Sequence, residues 1–473
     1  MPALQHESDL FTTTETLRFL KHCQRQAVQA DHAKIASLTF EIAAVVPWAV
    51  LAILGAAHPR YFYYDSPKAP ATVGLGAAVD CVSSGPLRFE QAQAFVHLWQ
   101  RRFIYADSVQ SPKGRFFCSA TFFAKAATEM AEPNADSAHF EPAYVFVPEV
   151  QVTTRADGST VTFNCLMMAA TDLDRTTAQI YRQLQQLTAA DSKQDSIPHP
   201  VNQCVTKGVA DFERAVTAAL QQVHSGKLHK VVLADVMDVV APQPVNVGRS
   251  LQALRQNHPD CTVFSVGNGR GQSFIGASPE RLLSIANGQL TTDALAGSAS
   301  RSQTPGIDIQ LAQTLLNSEK ERYEHQVVVE FIVQQLRSLG LNPHYTATPK
   351  LLQLRHIQHL HTQISAVLSP QTVPPLDILA KLHPTPAVAG VPRQAACQFI
   401  RHHETFDRSL YAAPIGWIDT QGNSEFVVGI RSALINGCQA RLYAGAGIVA
   451  GSEPAKELAE IKLKLQTLLS ALV

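Results

Sequence analysis

Glu425-Phe-Val-Val-Gly-Ile-Arg431 and Ala440-Arg-Leu-Tyr-Ala-Gly445 both alternate apolar and polar residues, as half-buried β-strands do. Asn436-Gly437 lies between the two segments. This dipeptide readily supplies the positive φ angles that a tight hairpin turn requires. We therefore predict that the two segments pair as a β-hairpin near the end of the chain.

A glycine-rich segment and a helix follow this hairpin. Gly445-Ala-Gly-Ile-Val-Ala-Gly-Ser452 leads into the predicted helix, with Ser452 as its N-cap. On the helix, Glu457, Glu460 and Lys464 are spaced i, i+3 and i+7, so their side chains share one stripe. A glycine-lined strand end that leads into two carboxylates and a lysine indicates a site for a metal ion and an anionic ligand.

Composition narrows the class of protein. The chain has 473 residues, of which 46% are hydrophobic, enough to bury one large core or two ordinary ones. Lys plus Arg equals Asp plus Glu at 39 each, which argues against nucleic acid as a partner. The longest apolar stretch, residues 42–57, contains Pro47 and is too short to span a bilayer. The eight cysteines form no close pair, as expected of reduced thiols, so we expect a cytoplasmic protein with no membrane partner.

The second half of the chain carries residues that can do chemistry. The pattern predicts an amphipathic helix over residues 209–227, followed by a strand that starts with Lys230. A lysine at the mouth of an apolar strand is more often a surface residue than a catalytic one. A second Asn-Gly turn predicts another hairpin, with Glu280 at its first strand and Gly297-Ser298 at the end of its second. A lone glutamate at a strand end is more often a solvated charge.

Two pairs of glutamates have the same helical spacing. Glu321 and Glu324 lie on a segment, residues 308–340, that is predicted to be one long helix, and Glu457 and Glu460 lie on the terminal helix. Either pair alone would be read as a solvated helix face. Two pairs, each beside an apolar stretch, better suit two helices that present carboxylates to one divalent cation. Oxygen-only ligands favour Mg²⁺ over zinc.

Several long motifs occur in the order seen in chorismate-utilising enzymes, which this chain resembles over about residues 205–470. They are Lys230-Val-Val-Leu-Ala234, Ala277-Ser-Pro-Glu-Arg-Leu282, Ala294-Leu-Ala-Gly-Ser298, Ser318-Glu-Lys-Glu-Arg-Tyr-Glu-His325, Ile357-Gln-His-Leu360, Leu382-His-Pro-Thr-Pro-Ala-Val-Ala-Gly-Val-Pro-Arg393, Asp407-Arg-Ser-Leu-Tyr-Ala-Ala-Pro-Ile-Gly-Trp417 and Ala444-Gly-Ala-Gly-Ile-Val-Ala-Gly-Ser452. Within that family the chain is similar to isochorismate synthases of the menaquinone, phylloquinone or siderophore type.

The resemblance implies a fold of the α/β (α+β) class. It implies a single large antiparallel β-sandwich with surrounding helices and a site between the sheets. Residues 1–35 would be an N-terminal helical extension and residues 36–473 one catalytic domain. Within that domain, residues 36–200 would form a scaffold half and residues 201–473 a motif-bearing half. The protein is expected to be a monomer or homodimer.

The resemblance also implies the reaction. Lys230 would be the general base that activates water for attack at C2 of chorismate, and Glu280 the general acid that protonates the departing C4 hydroxyl. The metal residues would be Glu324 and Glu460, which would hold Mg²⁺, with Glu321 and Glu457 beside them. Residues expected to contact chorismate are Gly297, Ser298, His359, Ala387, Tyr411, Arg431, Gly445, Gly447 and Lys464.

Two positions distinguish isochorismate synthases from the related enzymes that catalyse other reactions of chorismate. Lys230 favours water over ammonia as the nucleophile, because the aminating enzymes do not generally carry lysine there. Ala387 stands where salicylate synthases usually have threonine, which favours a reaction that stops at isochorismate. The alternatives are a salicylate synthase, which would also release pyruvate, and a catalytically silent scaffold subunit of a quinone-pathway complex.

Overall fold

The computed structural model describes residues 12–106, 114–124, 140–189, 205–207, 212–368 and 373–472. Its helices are α1 (Thr13–Gln29), α2 (Pro47–Leu54), α3 (Arg88–Gln100), α4 (Leu173–Ala189), α5 (Phe212–His224), α6 (Val247–Asn257), α7 (Pro305–Asn317), α8 (Glu319–Ser338), α9 (Pro375–Leu382), α10 (Arg393–His403) and α11 (Pro454–Leu472). All three predicted regions include residues outside the described part of the chain: 1–11 of the extension, 107–113, 125–139 and 190–200 of the scaffold half, and 201–204, 208–211, 369–372 and 473 of the motif-bearing half. Residues 209–211 also belong to the predicted amphipathic helix.

The strands form two large sheets. They are β1 (Lys34–Ile42), β2 (Arg60–Asp65), β3 (Ala71–Leu75), β4 (Val79–Ser83), β5 (Phe103–Tyr105), β6 (Arg115–Ala120), β7 (Ala143–Val147), β8 (Val150–Thr154), β9 (Ser159–Met167), β10 (Val205–Lys207), β11 (Lys230–Val240), β12 (Thr262–Asn268), β13 (Gln272–Ser278), β14 (Arg281–Ala286), β15 (Gln289–Ser300), β16 (His344–Tyr345), β17 (Lys350–Gln353), β18 (Ile357–Val367), β19 (Gly390–Val391), β20 (Pro414–Asp419), β21 (Ser424–Val428), β22 (Ser432–Asn436) and β23 (Gln439–Ile448).

We call the larger sheet A and the smaller sheet B. Sheet A runs β10-β11-β23-β22-β13-β12-β2-β3-β8-β9-β1-β5, with β19 beside β11. Sheet B runs β16-β18-β15-β14-β21-β20-β6-β7-β4, with β17 beside β18. Within the described residues, every pair of neighbouring strands is antiparallel except β1 and β5. The predicted antiparallel sandwich with surrounding helices is confirmed.

The core lies between the sheets and joins distant parts of the chain. Phe62 of sheet A stacks on Phe117 of sheet B, with ring centroids 4.7 Å apart. Strand β2 pairs with β12, and β6 pairs with β20, so residues before 170 and after 205 share both sheets. No helix among the described residues is both long enough and apolar enough to cross a bilayer.

The predicted C-terminal hairpin is only half right. The turn at Asn436-Gly437 exists, but the strand that pairs with β23 is β22, not the segment that begins at Glu425. Glu425 belongs to β21, which pairs with β14 and β20 in sheet B. The chain passes from sheet B to sheet A between these strands, where Arg431 adopts a left-handed φ of 50°. Alternating hydrophobicity predicts strands, but it does not show that the backbone changes sheets between them.

The hairpin at Asn287-Gly288 is confirmed, with φ angles of 51° and 76° in the turn between β14 and β15. The chain changes sheets just before it, because β13 belongs to sheet A and β14 to sheet B. Glu280 lies at this crossing. Its position at a crossing, rather than on an exposed strand end, explains why it is buried.

Two helix predictions need correction. Residues 308–340 are not one helix: α7 ends at Asn317 and α8 begins at Glu319. Ser318 separates them with an extended backbone, and its hydroxyl accepts a hydrogen bond from the Glu321 amide as the N-cap of α8. The terminal helix begins at Pro454, so Ser452 lies one position before its N-cap; its hydroxyl accepts a hydrogen bond from the Val449 amide instead.

Candidate active site

A cavity of about 910 Å³ lies where sheets A and B meet helices α8 and α11. Fourteen of the fifteen predicted site residues border it. They are Glu280, Gly297, Ser298, Glu321, Glu324, His359, Ala387, Tyr411, Arg431, Gly445, Gly447, Glu457, Glu460 and Lys464. The structure therefore brings together residues that span 185 positions of sequence, from 280 to 464.

Lys230 lies directly behind the cavity wall. It is the first residue of β11, its side chain has no exposed surface, and its Nζ is 2.8 Å from Oε1 of Glu324. Gly447 separates it from the open space: a Cβ at that position would lie 3.3 Å from Cε of Lys230 and would overlap the Glu324 carboxylate. Burial excludes the alternative that Lys230 is an ordinary surface lysine.

Glu280 is buried in the crossing between β13 and β14 and borders the cavity. Burial raises its pKa to about 8; the positive charge of Lys230 lowers that value somewhat, and Asp293 raises it. At neutral pH the side chain is therefore mostly protonated. A neutral carboxylic acid that faces a cavity can donate a proton to a leaving group.

Helices α8 and α11 present four carboxylates to the cavity, and lysines lie beside each of them. Nζ of Lys320 is 3.1 Å from Glu457 and 3.6 Å from Glu321. Nζ of Lys464 is 2.7 Å from Glu460, and Lys230 is paired with Glu324.

The pKa values of these carboxylates differ with their partners. Burial, followed by the charge of Glu324, raises the pKa of Glu321; burial also raises the pKa of Glu457 despite the opposing charge of Lys320. Burial acts in the same direction on Glu460, but the ion pair and hydrogen bond with Lys464 outweigh it, so the pKa of Glu460 is lowered.

The donor chemistry of this set fits a hard divalent cation. The four side chains offer carboxylate oxygens from two facing helices, and Mg²⁺ prefers oxygen ligands and retains water. Among the described residues, no three His, Cys, Asp or Glu side chains are already gathered as a metal cluster. The carboxylates are held by lysines instead, so a cation would have to compete with those ion pairs.

Another part of the cavity wall is suited to anions. Nη2 of Arg431 lies 3.1 Å from Nε2 of His359, and Nζ of Lys464 donates a hydrogen bond to the carbonyl oxygen of Gly445 at 2.8 Å. Burial and the charges of Arg431 and Lys464 lower the pKa of His359 well below its ordinary range, so its ring is neutral. Two cationic side chains and a neutral imidazole therefore converge on one part of the wall.

Gly297 and Ser298 link the sheet to the carboxylates. Gly297 has a φ of 76° and sits at a bulge in β15, which confirms that the backbone turns there. The turn lets the Ser298 amide donate a hydrogen bond to Oε2 of Glu321 at 3.0 Å. A Cβ at Gly297 would lie 3.2 Å from the same oxygen, so only glycine leaves this approach free.

Tyr443 and Lys320 are two of the wall residues that the sequence did not predict as site residues. Tyr443 stacks on Tyr411, with ring centroids 5.2 Å apart, and Lys320 bridges the carboxylates of both helices. Tyr443 precedes Gly445 and Gly447 by two and four positions, so strand periodicity could have placed all three on one face. No sequence signal distinguishes Lys320 from an ordinary surface lysine of a charged helix.

Known proteins that resemble this chain identify its family. A family model described as chorismate binding enzyme matches residues 18–473. The isochorismate synthase MenF of Bacillus subtilis (strain 168) is 30% identical over 471 residues, which cover 95% of this chain and 96% of that protein. The salicylate biosynthesis isochorismate synthase of Pseudomonas aeruginosa is 42% identical over 265 residues, but this match covers only 55% of the chain and 54% of that relative.

The fold agrees with the sequence matches. The solved structure of MenF, the menaquinone-specific isochorismate synthase of Escherichia coli, superposes with a TM-score of 0.76 at 26% identity. The superposition covers 97% of this chain and all of that one.

Proposed function

The chain belongs to the chorismate-binding enzymes, and from that premise we propose that it is an isochorismate synthase. The reaction replaces the C4 hydroxyl of chorismate by a hydroxyl at C2. The observation that carries the proposal is the single cavity that holds a buried, protonated glutamate and two cationic side chains, with a buried lysine behind its wall.

Glu280 is the proposed general acid. Hydroxide is a poor leaving group, so the C4 oxygen has to receive a proton as its bond to carbon breaks. The raised pKa of Glu280 keeps a proton available at neutral pH, and its burial excludes bulk water from this position.

Lys230 is the proposed general base for the attacking water. Its Nζ is held by Glu324 at 2.8 Å, and Gly447, which has no side chain, lies between its Cε and the cavity. The base role therefore requires Lys230 to separate from Glu324. The family resemblance and the burial of this lysine support the role.

Chorismate is a dianion, and the cavity offers compensating charge. Arg431 and Lys464 contribute two cationic side chains to the wall, and Lys464 is paired with Glu460. The strand around Gly445 and Gly447 lacks side chains there, so a carboxylate can approach the backbone closely.

We propose Mg²⁺ as the cofactor. Glu324 and Glu460 would hold it with Glu321 and Glu457 beside them, and when bound it would neutralise a substrate carboxylate. The four oxygen-donor side chains facing one cavity support this choice.

A chromatographic assay of the purified protein with chorismate tests the function. We expect isochorismate to form with Mg²⁺, to stop forming with EDTA and to reappear when excess Mg²⁺ is added. Lys230→Ala should lower kcat by about 10²–10⁴. Arg175→Ala, on an exposed part of α4, is the control that should retain full activity.

Other outcomes would decide between the alternatives. Salicylate and pyruvate as the main products would identify a salicylate synthase, against the indication of Ala387. Absence of turnover with Mg²⁺ would favour a silent scaffold subunit. Near-normal activity in Lys230→Ala would contradict the proposed base.

We also propose that the enzyme works in the cytoplasm as a monomer or homodimer. All seven cysteines among the described residues are free thiols, which supports a reducing compartment. One solved structure is described as menaquinone-specific and one relative as vibriobactin-specific, which supports an isochorismate-consuming route to menaquinone or to a siderophore.

A further inference from the structure

A second cavity, of about 500 Å³, adjoins the catalytic one. We call it the outer chamber. It lies between the C-terminal end of α6, the turn from β17 to β18, and α11. Arg431 and Lys464 border both cavities, so the two spaces share a cationic wall.

The rest of the outer chamber is cationic or apolar. Arg355 and His356 are exposed at its edge, His258 is buried in it, and Leu463 is among its apolar residues. None of the described residues that border it is acidic. The catalytic cavity differs, because four carboxylates border it; one of them, Glu460, pairs with Lys464 of the shared wall.

Arg355 has spare capacity for an anion. Its Nη1 donates a hydrogen bond to Oδ1 of Asn257 at 2.8 Å, which fixes the turn against the end of α6. Within the described part of the chain, no carboxylate lies within ion-pair distance of either Arg355 or Arg431. Two guanidinium groups without a carboxylate partner therefore border the same space.

The lowered pKa of His258 reflects its burial and the positive charges around it. Burial lowers its pKa to about 4, and the charges of Arg431, His356 and Arg355 add to that effect. The ring is therefore neutral at physiological pH, and it offers polar nitrogens without adding charge. A chamber with a positive potential and partly apolar walls suits a small organic anion that has both carboxylates and a hydrocarbon ring.

We propose that the outer chamber is a docking site for the chorismate dianion on its way into the catalytic cavity. This inference rests on the proposed function, because it takes its ligand from it. Arg355 attracts the carboxylates first, and the shared wall of Arg431 and Lys464 then receives them. Clefts lined by one sign of charge raise the local concentration and the association rate of oppositely charged ligands.

Charge variants of Arg355 test the docking step. Arg355→Gln should lower kcat/KM by about threefold and Arg355→Glu by about tenfold, with kcat at saturating chorismate unchanged. The decline of kcat/KM with added NaCl should be shallower in both variants than in the wild type, because salt screens the attraction that they lack. Arg175→Glu makes the same charge change on α4 and should leave both quantities unaltered.

A steric variant tests the route without changing charge. Leu463 is 42% exposed and borders the outer chamber, so Leu463→Trp should fill part of it and lower kcat/KM several-fold. Leu98→Trp is the matched control, because Leu98 is 48% exposed on α3. Melting temperatures within a few degrees of wild type show that each variant is folded.

The outcomes separate this inference from the proposed function. A wild type that does not convert chorismate overturns the function itself. A wild type that converts chorismate, while Arg355→Glu and Leu463→Trp retain its kcat/KM and salt dependence, overturns the docking site. Unchanged chorismate kinetics together with loss of inhibition by another dicarboxylate, such as malonate, would make the chamber an effector site and would also overturn the docking role.

Discussion

The raised pKa of Glu280 depends on where the backbone places this residue. The chain leaves sheet A at Ser278 and enters sheet B at Arg281, and Glu280, the second of the two residues between them, is buried. Its burial follows from that crossing, and its raised pKa follows from its burial. A sequence pattern identifies the glutamate, but the pKa depends on surroundings contributed by distant strands.

We expect the activity to fall as pH rises above about 8, because Glu280 then loses the proton that it has to donate. Glu280→Gln cannot donate that proton, so kcat should drop by about 10²–10⁴ and the alkaline limb attributed to Glu280 should disappear. The measurement is kcat against pH for both proteins. An unchanged alkaline limb in Glu280→Gln would assign it to another group.

The same pKa has a consequence for stability. The native protein retains a proton on Glu280 between pH 4.5, the ordinary pKa, and about 8, whereas the unfolded chain has released it. The free energy of unfolding therefore decreases as pH rises through this range, and the contribution levels off above it. Urea denaturation at several pH values should show a smaller decrease for Glu280→Gln than for the wild type.

Gly447 is predicted to be required for access of Lys230 to the cavity. A methyl group at this position would overlap the Glu324 carboxylate and lie beside Cε of Lys230. Gly447→Ala should therefore lower kcat by at least about tenfold while the flexible carboxylate moves aside and the fold persists. Gly306→Ala is the control, because a Cβ there meets nothing within 4 Å in helix α7. Equal activity of the two variants would contradict the expectation.

At the scale of elements, helices α8 and α11 form one carboxylate-bearing pair. The i, i+3 spacing was sufficient to predict that Glu321 and Glu324 face Glu457 and Glu460 across one cavity. The same spacing could not reveal that Ser318 interrupts the first helix, because good helix formers such as Leu316 and Glu319 lie close to it on both sides. The sheet change between Glu425 and Arg431 was missed for a similar reason: alternation continues while the hydrogen-bonding partners change.

Lys320 allows a direct test of whether the lysines of this helix pair compete with Mg²⁺ for the carboxylates. Without a metal ion it offsets the buried Glu457 and the nearby Glu321, so Lys320→Gln should lower the melting temperature by a few degrees. The variant should bind Mg²⁺ several-fold more tightly, because the ion no longer competes with an ammonium group. Calorimetric titration with MgCl₂ gives the affinity without any turnover.

Lys456→Gln is the matched control, since Lys456 of α11 pairs with the exposed Glu453 just before that helix. Equal Mg²⁺ affinities in Lys320→Gln and the wild type would show that Lys320 does not compete with the cation. No Mg²⁺ binding by either protein would contradict the proposed cofactor itself.

At the scale of the whole molecule, the two halves of the chain are interleaved. Strand β12 has β2 as a neighbour, and β20 has β6, so each sheet is built from both halves. The division into residues 1–35, 36–200 and 201–473 stays a prediction. Helix α1 nevertheless buries Leu20 and Cys23 completely, so the described part of the predicted extension contributes to the core.

Because each sheet contains strands from both halves of the chain, we predict that the motif-bearing half does not fold alone. A fragment of residues 205–473 would expose the edges of β12 and β20, whose residues are buried in the full chain. We expect this fragment to be insoluble or to unfold without a cooperative transition. Co-expression with residues 1–204 should recover soluble protein, as judged by size-exclusion chromatography. A soluble fragment with a cooperative thermal transition would contradict this expectation.

Glu280 and Arg431 both lie where the backbone steps from one sheet to the other. The distance between the two sheets therefore helps to set the distance between the proposed proton donor and the anion-binding arginine. Phe62 and Phe117 stack between the sheets. Replacing either of them by a smaller residue should change this distance without altering a residue that contacts the ligand. We therefore expect such core variants to remain folded and to convert chorismate more slowly than the wild type.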